Sequence, residues 1–125
     1  MKSIGKEKVN IRSGPSLKSE VLFQAHLGYP LEILERKGDW VRFQDWMGNK
    51  GWIYRPLLSD VPTAVVLKDK VNVRQGPGLR HKVVTTVEKG EVYKIFARNG
   101  NWIKIGYYLE NEQIGWVRSD MIWGD

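Results

Sequence analysis

The sequence predicts an all-β protein built as two small barrels in tandem, and three observations carry that reading. A nine-residue segment, Val9-Asn10-Ile11-Arg12-Ser13-Gly14-Pro15-Ser16-Leu17, recurs 62 residues later as Val71-Asn72-Val73-Arg74-Gln75-Gly76-Pro77-Gly78-Leu79. Short stretches alternate apolar and polar residues with the period of two that marks half-buried strands. Gly and Pro punctuate these stretches at intervals of about 8–12 residues, and no window has the amphipathic period of a helix.

The repeat sets the organisation of the chain. The same offset pairs Val21 with Val83, Gly28 with Gly90, Ile33 with Ile95, Gly38 with Gly100, and Trp40-Val41 with Trp102-Ile103. The register then slips by two, so that Gly51-Trp52-Ile53 aligns with Gly115-Trp116-Val117 and Leu57-Leu58 with Met121-Ile122. A slip confined to one place predicts one longer hairpin in the second copy. Extended backwards, Ile4 meets Val66 and Lys6-Glu7-Lys8 meets Lys68-Asp69-Lys70, which gives units over residues 1–60 and 61–125. Ser59-Asp60 and Pro62 mark the join, and Val65-Val66-Leu67 already reads as strand. So short a connection predicts a fairly fixed mutual orientation, unlike a long flexible linker. The first unit begins essentially at Met1, as expected of a natural start and equally of two units taken from a longer precursor.

Each strand follows from its own residues. Val9 and Ile11 alternate with Asn10 and Arg12, as Val71 and Val73 do with Asn72 and Arg74, and the apolar members face inward. Gly14-Pro15 and Gly76-Pro77 end that strand, because Pro has no N–H and Gly reaches backbone angles that other residues avoid. In Trp40-Val41-Arg42-Phe43 and Trp102-Ile103-Lys104-Ile105 the core takes Val41, Phe43, Ile103 and Ile105. Parity then puts Trp40 and Trp102 on the outer face with Arg42 and Lys104. Ile53 lies between Trp52 and Tyr54, and Val117 between Trp116 and Arg118, so Trp52 and Trp116 also point outward.

Composition narrows the function classes. Of 125 residues, 42% are hydrophobic and 27% charged, the balance of a folded globular chain. The absence of cysteine excludes disulfides, thiolate metal sites and a cysteine nucleophile. The two histidines, His26 and His81, fall at non-matching positions and the acids are scattered, so neither a metal nor a cofactor is expected. The Gly-Pro loops lack the Lys-Ser/Thr and the following helix of a phosphate loop, and no nucleophile stands beside a base, so no enzymatic activity is expected. The net charge of +6 is spread evenly, with ten basic and seven acidic residues in each half, and attracts polyanions only mildly. The Met1–Lys6 start lacks the apolar run of a signal peptide, and no stretch approaches a membrane span.

The ordered motifs V-N-[VI]-R-x-G-P, Gly, G-[DN]-W-[VI] and G-W-[VI] resemble the bacterial SH3-like (SH3b, type 3) family. They run twice and cover nearly the whole chain. The resemblance implies two tandem SH3-like barrels of about five to seven short antiparallel strands each. It also implies a non-catalytic module found beside wall hydrolases or in envelope proteins, with peptidoglycan, its peptide stems or a partner protein as ligand. The expected location is the cell envelope, periplasmic or extracellular, on the assumption of an upstream signal.

Several residues are candidates for such a site. Trp40 with Trp52, and Trp102 with Trp116, either form a shallow groove that stacks on sugar or peptide, or cover the barrel beneath the Gly-Pro loop. Arg12 and Arg74 either clamp a ligand carboxylate with forked hydrogen bonds or pair with backbone carbonyls or a nearby acid. Asn10 and Asn72 are expected to satisfy loop backbone groups. Tyr29 and Tyr54 either extend a groove or cap a barrel end. At the hairpin tips, Trp46 and Met47 in one copy and Tyr107, Tyr108 and Leu109 in the other are expected to pack between the barrels, with ligand binding and self-association as the other roles. Beside wall or envelope-protein recognition stand a purely structural adaptor and a nucleic-acid binder. The isoelectric point of about 9.6 favours the last, and the mixed charge signs count against it.

Overall fold

The computed structural model describes residues 1–124, and each alternating stretch of the sequence forms a strand in it. The first unit, Met1–Val61, holds β1 (Lys2–Ile4), β2 (Lys8–Arg12), β3 (Val21–His26), β4 (Pro30–Lys37), β5 (Trp40–Gln44), β6 (Lys50–Tyr54) and β7 (Leu58–Ser59), with a 3-10 turn over Arg55–Leu57. The second unit, which begins at Pro62, repeats the series as β8 (Thr63–Val66), β9 (Val71–Arg74), β10 (Val83–Val87), β11 (Val92–Asn99), β12 (Trp102–Gly106), β13 (Gln113–Arg118) and β14 (Ile122–Trp123), with its 3-10 turn over Ser119–Met121. Leu67 lies just past β8, where its N–H donates to the Met121 carbonyl instead of continuing the strand.

Each unit is one seven-stranded antiparallel sheet, ordered β3-β2-β6-β5-β4-β1-β7 in the first and β10-β9-β13-β12-β11-β8-β14 in the second. The sheet curls so that one face encloses a single core. Ile4, Val9, Ile11, Ala25, Leu31, Val41, Phe43 and Ile53, drawn from six different strands, bury together in the first unit. Val71, Val73, Tyr93, Ile95, Ile103, Ile105 and Val117 do so in the second. Each large apolar side chain buried in this way contributes about 1.5–3 kcal/mol. Thus the two SH3-like barrels expected from the motifs are the fold of this chain.

Two local features make the curl possible. The ladder between β4 and β5 shifts between Ile33 and Glu35, and that between β11 and β12 shifts between Ile95 and Ala97, so each long strand carries a bulge that bends it. At the closing seam β2 meets β6 only at Arg12 and Trp52, and β9 meets β13 only at Arg74 and Trp116. The residue just before each of these tryptophans must be Gly. A Cβ on Gly51 would run into the Ile11 side chain, and one on Gly115 would stand 2.5 Å from the Arg74 carbonyl oxygen.

The hairpin after β5 is organised by one buried carboxylate. Asp45 accepts hydrogen bonds from the Met47 and Asn49 N–H groups, the Asn49 side-chain amide and the Tyr29 hydroxyl. The longer hairpin between β12 and β13 is held instead by the Tyr107 N–H on the Glu112 carbonyl and by Lys94 on Asn111. The two-residue slip of the repeat falls at this hairpin.

Candidate ligand clefts

The Gly-Pro loop leaves β2 at Arg12 and returns to β3, closed at its base by the Ser13 N–H on the Glu20 carbonyl. The Arg12 guanidinium donates from Nη1 to the Leu17 and Ser19 carbonyls, each at 3.0 Å. Arg74 makes the matching pair, to the Leu79 carbonyl at 3.2 Å and the His81 carbonyl at 2.9 Å. The arrangement fixes the loop from below and leaves its apolar tip in solvent: Leu17 is 75% exposed and Leu79 68%. Asn10 does not serve loop backbone groups: its side-chain Oδ1 accepts from the Gln24 side-chain amide on β3.

Opposite this tip lies the outer face of the central strands. The β5–β6 register sets Trp40 across from Tyr54 and Arg42 across from Trp52. The aromatic neighbour of Trp40 is therefore Tyr54, with ring centroids 5.6 Å apart and planes tilted by 55°, while Trp52 lies one step along against Arg42 and Arg12. Between loop and strands is an open cleft of about 530 Å3 lined by Pro15, Ser16, Leu17, Lys18, Trp40 and Tyr54.

The second unit builds the same cleft with different chemistry. Trp102 sits across from Arg118, which pairs with Asp120 at 3.1 Å, and Trp116 sits across from Lys104, whose ammonium stands 5.8 Å from the indole. Two hollows, of about 820 and 350 Å3, share Leu79, Trp102 and Arg118 as common wall. One runs along the Pro77–His81 loop, and the other reaches Lys68, Lys70 and Met121. An aromatic pair in the first cleft is thus an aromatic and a guanidinium in the second.

The remaining candidates separate from these clefts. Tyr29 packs against the core, and burial, reinforced by Asp45, which accepts its hydroxyl's hydrogen bond, pushes its phenol well above the ordinary tyrosine range. At the tips Met47 is 61% and Leu109 73% exposed, Trp46 and Tyr108 are half-buried, and Tyr107 lies with its ring 6.0 Å from Tyr93 of its own unit. Sequence reasoning missed Leu17, Leu79, Lys18 and Arg118 as cleft residues. A signal for the leucines was present, since they close the nine-residue repeat, yet an apolar residue in a loop looks like core until its exposure is known. Among the described residues no group of three or more His, Asp or Glu side chains is placed to hold a metal, and no helix is long and apolar enough to cross a membrane.

These features define a class of small β-barrel modules that present one loop-edged cleft each. The chain belongs to the bacterial SH3 domain family: residues 5–60 and residues 69–122 each match it, which accounts for nearly the whole chain. Over 130 aligned residues, covering 95% of this chain, it is 28% identical to a Bacillus subtilis (strain 168) protein, YrvJ, whose name gives it as an N-acetylmuramoyl-L-alanine amidase. Over 61 residues, 48% of this chain, it is 34% identical to proteins from two Staphylococcus epidermidis strains, LytH, named as cell wall amidases. The chain spans only 24% and 21% of the lengths of these relatives. Among solved structures, an NlpC/P60 family protein from Bacillus cereus aligns with a TM-score of 0.45 at 16% identity, over 98% of this chain and 55% of the other. NlpC2 from Trichomonas vaginalis aligns with a TM-score of 0.43 at 15% identity, over 99% and 47%.

Proposed function

We propose that this chain is a non-catalytic targeting module that binds cell-wall peptidoglycan, through its peptide stems, on the outer side of the cell. The observation that carries the reading is the cleft repeated in both units, where a fixed apolar loop tip faces an outward tryptophan. Such a cleft offers large, rigid contact area at little cost in side-chain entropy. Lys18 beside Trp40, and Arg80 beside Trp102, supply cations for the carboxylates that peptide stems carry. The relatives named as wall amidases support the same destination. Their activity is assigned here to the three quarters of their length outside the matched segment, and this chain would serve to hold such an activity, or a partner carrying it, at the wall.

Retention on purified insoluble peptidoglycan tests the proposal. The chain is expected to sediment with the wall, with Trp40→Ala and Trp102→Ala each lowering retention about tenfold, the effect of losing one central aromatic contact. Equal retention of the variants, or none of the parent chain at low and moderate salt, would overturn it. An oligonucleotide serves as control, since phosphate-driven binding collapses steeply with salt. A second reading, a protein–protein adaptor, is favoured by the exposed Met47 and Leu109 at the hairpin tips. It predicts that Met47→Ser and Leu109→Ser, and not the tryptophan variants, abolish capture of a partner or self-association in light scattering.

A further inference from the structure

The first barrel carries a second hollow, of about 420 Å3, that shares no lining residue with the Trp40 cleft. Its floor is apolar, formed by Ile33, Val41, Pro56 and Leu58, and its rim carries Lys2, Arg36, Arg55 and Asp60. The charges there do not cancel. Lys2 is hydrogen-bonded to Asp60, and that ammonium holds the Asp60 carboxyl below its ordinary range, so the pair is neutral overall. Arg55 is loosely matched by Asp39 at 3.9 Å. Arg36 makes no hydrogen bond or ion pair among the described residues.

Arg36 also shares a sheet face with a core residue, although its side chain stays exposed. The bulge after Ile33 changes the parity of β4, so that Glu35 pairs with the outward Arg42 and Arg36 pairs with Val41, whose side chain is in the core. An exposed guanidinium is thereby carried at the barrel's end, on the rim of an apolar floor. The second barrel keeps the bulge and an arginine across from a core residue, Arg98 opposite Ile103, but not the rim around it. In the repeat, Ala64, Ser119 and Trp123 replace Lys2, Arg55 and Ser59, and Arg98, which stands for Arg36, is already partnered. Since the same barrel is built without Lys2 and Arg55, those two cations are not needed for its architecture.

We infer that this hollow is a binding site for the C-terminal carboxylate of a short peptide whose last side chain is apolar. One unmatched guanidinium calls for a monoanion, and its planar fork fits a carboxylate through two parallel hydrogen bonds. The apolar floor suits an aliphatic side chain and offers nothing to a fully hydrated phosphate. The volume falls in the range of small-ligand pockets.

Amide NMR spectra of the full chain, titrated with N-acetyl-alanyl-leucine, its C-terminal amide and inorganic phosphate, test the inference. The acid is expected to shift amides over residues 33–36 and 55–60, with the amide form and phosphate at least tenfold weaker. Arg36→Gln is expected to weaken the acid at least tenfold, and Arg98→Gln to leave it unchanged; the spectra themselves report whether each variant is folded. Equal response to acid and amide, a phosphate response matching the acid, an unaltered Arg36→Gln titration, or shifts confined to the surroundings of Trp40 and Tyr54 would each overturn it. Because the two sites share no residue, failure here leaves the wall-binding reading intact, and the converse also holds.

Discussion

Arg12 and Arg74 each direct Nη1 at two loop carbonyls, so they are expected to act on a ligand first through the loop they shape. Arg12→Ala leaves two loop carbonyls without their donor and is expected to cost about 1–3 kcal/mol. Arg12→Lys should lose part of this, since a single ammonium on a flexible stem does not reproduce the fork. Urea unfolding of both variants checks the order. The buried tyrosines give a second expectation. Tyr29 and Tyr93 have phenols held well above 10, by burial first and by Asp45 and Glu91 second. Above pH about 10 the unfolded chain releases these protons while the folded chain keeps them, so stability falls as pH rises through that range. Below it the contribution is fully present. Tyr29→Phe should flatten the alkaline loss of stability in the first unit, as followed by unfolding midpoints between pH 8 and 11.

At the scale of the elements, the seam strands set the strictest demand on sequence. Gly51→Ala brings a methyl onto Cγ2 of the buried, β-branched Ile11 and is expected to cost about 1–3 kcal/mol as an overpacking change. Gly115→Ala meets a backbone carbonyl and a φ of +154°, and is expected to cost more, so that the second unit melts at lower temperature than with the Gly51 change in the first. Strand faces were legible from alternation alone, because one side of each sheet must be dry: Val41, Phe43, Ile103 and Ile105 lie in the core as parity requires. Register was not legible. Parity puts Trp40, Trp52 and Tyr54 on one face, and only the way the hairpin closes decides that Tyr54, rather than Trp52, faces Trp40. Bulges hide in the same way. A strict period of two turns Arg36 outward, and the extra residue in β4 pairs it with the core residue Val41 instead.

For the whole molecule, the repeat and the division of the contacts into Met1–Val61 and a second unit from Pro62 lead us to expect two cooperative folding units. At a typical 0.05–0.15 kcal/mol per residue each would be stable by about 3–9 kcal/mol. Residues 1–61 and 62–125, expressed separately, should each give the amide spectrum of their half of the parent chain; collapse of either spectrum to that of an unfolded chain would count against independence. The duplicated cleft has a kinetic consequence as well. On the wall-binding reading, a polymer that offers the same peptide over and over lets one cleft recapture a neighbouring stem before the other lets go. Two brief contacts then add up to a far longer dwell, with no tighter fit at either. The chain would creep along the wall by exchanging one hold at a time, and a module reduced to a single barrel would let go sooner.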